Sequence, residues 1–284
     1  MISSGEKALD RKSDIPLDWK DAAIAFFSLV IVSGAMESRL EGVATHRLRQ
    51  FIHGGQLQVD VAPRGFFGAL IGQAYAIKIT GSGNRINDIP LDLAPGHALS
   101  GTARQLNINL DNFNLAGIPV KRLKANVPFV HLDLNQALFD GHIRLMSAKT
   151  GQAELVIGRA GLQAILKREV SALKGVRVEV TPNYLQITGN ASLWLIAEPF
   201  QARFNLNVDP DGGLAVENLQ LMVGGQKAGP LLIQKMETIM IPALNLQSVF
   251  GLGELFQPKT ITLEHQKVKV SGSVRVPVQK GGHP

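Results

Sequence analysis

The chain has 284 residues, 29 Lys or Arg against 23 Asp or Glu, and no cysteine, which excludes disulfides, thiolate metal sites, a cysteine nucleophile and any cysteine-linked lipid anchor. Charged residues make up 18% of it, below the roughly 25% usual for a soluble domain, so the surface suits either an apolar partner such as lipid or a β-rich exterior of Asn, Gln, Ser and Thr. The net charge of +6 favours anionic partners, lipid headgroups among them, while 6% aromatics supply few stacking platforms for nucleic acid, and none is expected as a partner.

Residues 1–21 are polar, with acids and bases interleaved, and read as a flexible tail. Residues 22–36 carry no charge and centre on Ile24, Phe26, Phe27, Leu29, Val30, Ile31 and Val32. A spanning helix wants about 20 apolar residues, and Ser28, Ser33 and Gly34 interrupt this one. It reads as a membrane anchor or uncleaved signal; a signal cleaved near Ser33-Gly34-Ala35 and a buried helix are the alternatives. Glu37 to His53 has the spacing of an amphipathic helix, with Leu40, Val43, Ala44, Leu48 and Phe51 on one face, and Gly54-Gly55 ends it. Leu57, Val59 and Val61 alternate as a strand to Pro63. Phe66, Phe67 and Leu70 form a glycine-bounded apolar loop, a candidate rim for dipping into a membrane.

From there to Leu155 the pattern is strand and turn. Tyr75, Ile77 and Ile79 alternate, then Leu106, Ile108 and Leu110, then Leu123, Ala125, Val127 and Phe129. The stretch Ala153–Gly189 is the centre of the chain and reads strand, helix, strand, strand. Its helix is predicted over Gly158 to Lys174, with Leu162, Ile165, Leu166, Val170 and Leu173 in one stripe and Gly175 as the cap. Val176, Val178 and Val180 then alternate to a turn at Pro182-Asn183. This unit repeats the earlier one: helix, glycine, valine strand, proline. Aligned on each other, Arg47 falls on Glu169, and both fall inside the apolar stripe. They either pair, hold a polar ligand head at the mouth of an apolar groove, or snorkel from the helix edge. Further on, Phe200 to Val208 alternates into a turn at Asp209–Gly213, Leu214 to Leu221 returns, a Leu- and Met-rich helix runs from Leu231 to about Ile241 with Pro242 as its end, and a hairpin with Ile261, Val268 and Val270 closes the chain. Residues 279–284 are a polar tail, and nothing divides residues 37–278 into separate domains.

No histidine pair has metal-ligand spacing, Gly224–Gly229 lacks the phosphate-loop order, and Gly81-Ser82-Gly83 is not a nucleophile elbow. The expectation is no enzyme and no cofactor.

The order of features resembles the LmeA-like phospholipid-binding family of bacteria: a hydrophobic segment, an amphipathic helix, a valine-alternating strand, a glycine-ended loop into a second strand over Phe66–Ile79, a strand running into a helix over Gly151–Lys174, and Met240-Ile241-Pro242-Ala243-Leu244-Asn245-Leu246 before a final hairpin. Where the family's helix opens with a hydroxyl residue and an acid, Gly158-Arg159 stands here. The resemblance implies a curved, mostly antiparallel sheet wrapped around helices, similar to the tubular lipid-binding fold, with phospholipid binding at the extracytoplasmic face of a bacterial membrane and a part in envelope lipid or glycolipid handling. It brings no catalytic residues.

The combined expectation is an α+β domain anchored to the cell membrane by an N-terminal hydrophobic helix, with phospholipid and membrane as partners. Leu162, Ile165, Leu166, Phe200, Phe204, Met236 and Met240 are the candidate lining of an acyl-chain groove. The alternative is a membrane-tethered scaffold with a solid core and a protein partner.

Overall fold

The computed structural model describes residues 52–63, 73–86, 100–133, 144–170, 173–193, 196–209, 214–245 and 255–275, together with Gly42, Thr45, Arg49, Val249, Phe250 and Leu252. The hydrophobic segment 22–36 and both tails lie outside the described residues. Gly42, Thr45 and Arg49 are helical, in keeping with the spacing that begins at Glu37.

Strands β1 (Ile52–His53), β2 (Gln56–Pro63), β3 (Gln73–Ser82), β4 (Arg85–Ile86), β5 (Ser100–Leu115), β6 (Ile118–Asp133), β7 (Arg144–Ser147) and β8 (Gly151–Gly158) lead into helix α1 (Arg159–Glu169). Strands β9 (Leu173–Val180), β10 (Leu185–Leu193), β11 (Ile196–Val208), β12 (Leu214–Val223) and β13 (Gln226–Lys227) follow, then helix α2 (Pro230–Leu244) and the hairpin β14 (Phe256–Glu264) and β15 (Lys267–Val274). The described residues are thus mostly β, with two short helices described over their full length. One sheet runs β2-β3-β5-β6-β8-β15-β14, with β1-β4 continuing along the same edge of β5 and β7 on β6. Its pairings are antiparallel except those of β3 and β4 with β5. The second sheet, β13-β12-β11-β10-β9, is antiparallel throughout. Neither sheet closes on itself.

Helix α1 forms because Leu162, Ile165 and Leu166 recur at helical spacing over a buried surface, with Gly161 on the same face. It packs against β9, β6 and β8 and touches α2, so it is bedded between the two sheets. Helix α2 lies against β12, and β11 meets β14. One continuous apolar cluster takes in both helices and strands of both sheets.

Three helix ends differ from the sequence expectation. Ile52 and His53, expected to finish the helix that begins at Glu37, form β1 opposite Ile86 and Arg85, so Gly54-Gly55 joins two strands and does not end a helix. Helix α1 stops at Glu169, and Leu173 and Lys174 instead open β9, opposite Ala191 and Asn190. Leucine at that spacing satisfies a helix stripe or a strand face equally, and the strand pairing decides. Gly175 is therefore no helix cap; with φ +63 it is the joint inside β9. A Cβ there would meet open space, so Gly175→Ala is expected to cost only the left-handed backbone penalty, about 1–2 kcal/mol, in urea unfolding. Helix α2, for its part, runs through Pro242 to Leu244, and the Asn245 N–H donates to the Pro242 carbonyl at 3.2 Å. Near the end of a helix the proline forfeits only a late intrahelical bond.

The repeated unit survives in the pairing. In the first copy β1 meets β4 and β2 meets β3, with Gly54 and Gly55 at positive φ at the joint, facing Gly83 and Asn84. In the second, Gly175 is the joint of β9, and the register with β10 shifts between Thr188 and Asn190. The opposing Gly189 is required there, because a Cβ would come within 2.8 Å of the Lys174 carbonyl oxygen. The likeness ends at the third strand, which is parallel to β3 in one copy and antiparallel to β10 in the other.

A second departure runs across three strands. The sequence places Tyr75 and Phe129 on inward-alternating positions. Both face out, Tyr75 at 53% and Phe129 at 47% exposure. The buried positions of the small satellite cluster are Ala103, Val127 and Val130, with Ala74, Ile77 and Leu106 against them. On β3, β5 and β6 alike, the inward face thus recurs three residues apart instead of two: Tyr75 is the extra residue of a bulge against β2, and the ladder skips Arg104 and Phe129 beside it without a change of register. Phe129 takes the slip at φ +51, a left-handed conformation costing a bulky residue about 1–3 kcal/mol.

Candidate functional site

The seven groove candidates come together. Leu162, Ile165 and Leu166 from α1, Phe200 and Phe204 from β11, and Met236 and Met240 from α2 all belong to the one apolar cluster between the sheets. They meet as packed core: exposure is 0% at Ile165 and Met240 and no more than 3% at Leu162, Phe200 and Met236.

A cavity of about 320 Å³ lies elsewhere. It opens between the β3–β4 joint, the β5–β6 hairpin and the start of α1, and none of the seven candidates lines it. Arg85, Lys121, Asn112 and Asn114 share its wall with Phe113, Pro119 and Val120. The α1 N-terminus beside it has no capping side chain and no acid in its first turn, consistent with the Gly158-Arg159 opening. Asn84, also on the wall, is buried; its Nδ2 donates to the Gln56 carbonyl at 3.0 Å and its Oδ1 has no partner among the described residues.

Glu169 does not lie within the apolar stripe. It is exposed at the last residue of α1 and accepts from Arg168 Nε at 2.7 Å. The helix ends there, so there is no further stripe for it to join. Arg47 lies outside the described residues, and so do the rim candidates Phe66, Phe67 and Leu70. Sequence reasoning missed Arg168, which also donates to the Ala116 carbonyl at 2.8 Å and the Val249 carbonyl at 2.6 Å, tying the end of α1 to the β5–β6 turn and to the segment after α2. It missed the outward Tyr75–Phe129 row as well. Pro128, in the middle of a central strand, was the available signal, since proline there removes a ladder donor and interrupts regular pairing.

Exposed ion pairs cross the outer face of the first sheet: Arg122–Asp111 at 2.8 Å, Lys269–Glu154 at 2.7 Å and Lys267–Glu264 at 2.8 Å. The hydrogen bond from Lys267 holds Glu264 below the usual carboxylate value. Such exposed pairs contribute little to stability. Among the described residues no three His, Asp or Glu side chains gather to hold a metal ion, and no helix is long and apolar enough to cross a membrane.

The described residues thus form a β-rich frame on which two helices join one apolar cluster. The chain belongs to the LmeA-like phospholipid-binding family, whose model matches residues 31–273. No curated protein and no solved structure matches it. Membership makes lipid the class of ligand and phospholipid the partner.

Proposed function

We propose that this protein holds a phospholipid at the extracytoplasmic face of a bacterial membrane, with an acyl chain taken in under α2 and basic residues meeting the headgroup. Residues 22–36 anchor it, residues 37–278 act as one lipid-binding domain, and its work lies in envelope lipid or glycolipid handling without catalysis. The observation that carries this reading is the single apolar cluster in which α1, bedded between the two sheets, and α2, lying on β12 and α1, bury their apolar faces in a chain of this family. A curved, tubular-lipid-binding-like wrap is part of the reading. It is supported by the register shifts between Ala62 and Pro63 of β2 opposite Tyr75, between Arg203 and Asn205 of β11 and between Pro258 and Thr260 of β14, since bulges bend the strands that carry them.

Transfer from bilayer to protein exchanges one apolar medium for another, so the chain contributes little net energy and selectivity rests with the headgroup. Native mass spectrometry of protein purified from cells under mild conditions is expected to show bound phospholipid. Protein that emerges lipid-free, and stays so after incubation with phospholipid vesicles, would overturn the proposal and leave the tethered scaffold with a solid core.

A further inference from the structure

We infer that the row Tyr75, Arg104 and Phe129, completed by Lys149, is the face by which the domain lies on an anionic lipid bilayer. The inference rests on the membrane-associated reading above and adds the surface that makes the contact.

The row is built by pairing. Ala74, Ala103 and Val130 are neighbours across β3, β5 and β6, and so are Ala76, Gln105 and Pro128. Tyr75, Arg104 and Phe129 occupy the single position left between those ranks on each strand, and all three are exposed. The Lys149 N–H donates to the Pro128 carbonyl at 3.1 Å, which brings its side chain over the row; Nζ stands 4.2 Å from the centre of the Phe129 ring. Among the described residues neither Arg104 nor Lys149 has a carboxylate partner.

Three features select the occupant. A bulky aromatic side chain in a left-handed backbone conformation, turned to water, is unfavourable twice over for a free protein, once in strain and once in exposed apolar surface. Tyrosine and phenylalanine next to cations that have no carboxylate partner among the described residues match the layering of a bilayer surface, with rings at headgroup level and charges at the phosphates. The cations also match the overall basic balance of the chain, +6, and each basic group near an anionic surface strengthens attachment about fivefold.

The absence of cysteine permits a site-specific test on the full chain. Thr150→Cys, beside the row, and Glu217→Cys, exposed on the second sheet, each carry a polarity-sensitive nitrobenzoxadiazole fluorophore, and the proteins are reconstituted on vesicles of phosphatidylcholine alone or with phosphatidylglycerol. The expected result is a blue-shifted, bromolipid-quenched signal at position 150 on phosphatidylglycerol vesicles and none at position 217. Arg104→Gln and Lys149→Gln should each weaken the docked state about fivefold, and Tyr75→Ser with Phe129→Ser should remove the signal. An unresponsive label at 150, equal responses at both positions, or a signal indifferent to the row substitutions overturns the inference and leaves a protein partner or a second copy as the occupant. Native mass spectrometry of the same variants separates the two readings: bound phospholipid with an unresponsive label condemns only the docking face, whereas lipid-free protein condemns the proposed function itself.

Discussion

Gly161→Val is expected to be the most damaging single substitution on α1, lowering the urea midpoint by the equivalent of about 3 kcal/mol or more. Gly161 sits in the first turn of the helix, on its buried face. A Cβ there would press into the Pro119 carbonyl oxygen and stand 2.7 Å from the Ile157 side chain. The first obstacle is backbone at the start of β6 and cannot rotate aside. The second is the last inward residue of β8, itself fully buried. Helix α1 would have to lift away from the first sheet, and with it Leu162, Ile165 and Leu166 would leave the common cluster. Ala160→Val, one residue earlier and exposed, is the control: it adds the same side-chain type to the same turn and should cost less than about 1 kcal/mol. Equal losses from both would mean that helix propensity, not close approach of helix to sheet, governs this turn.

The same stretch shows which parts of the architecture were readable from residues alone. The strand, helix and hairpin around α1 were legible because each pattern is local: apolar side chains every third or fourth residue, then every second, with Pro182 and Asn183 at the turn. The co-burial of Leu162, Phe204 and Met240 followed from the same patterns, since each lies on the one greasy face of its element. What could not be read were the places where a neighbouring strand decides. Leu173 fits either period, and its pairing with Ala191 makes it strand. Phe129 continues an alternation that the rank skipped through Tyr75, Arg104 and Phe129 reverses. The cavity beside α1 brings Arg85, Lys121 and Asn114 together from separate strands, and no spacing along the chain encodes that. Tight closure of the groove candidates is of the same kind. A stripe tells which side chains turn inward, not whether they leave room.

That closure makes Phe204→Ala the most informative core substitution. Phe204 is 1% exposed on β11, opposite Leu185, within the cluster that α1 and α2 complete. In lipid-free protein, removing the ring should cost about 3–5 kcal/mol, because surrounding groups collapse only in part around the space left behind. Loading with phospholipid stabilises any protein that binds it only when folded, by about 2.7 kcal/mol at a hundredfold excess over the dissociation constant. If the acyl chain lies in this interior, the space vacated by the ring is new room for methylenes, and the loss measured on lipid-loaded protein should fall below the loss on lipid-free protein by about 1 kcal/mol or more. A chain bound elsewhere would leave the two losses equal, because sites without shared contacts add independently. The comparison needs only urea unfolding of parent and variant in both states. It locates the guest by energy, and equal losses would move the acyl-chain site away from Phe204 even for a protein that binds phospholipid.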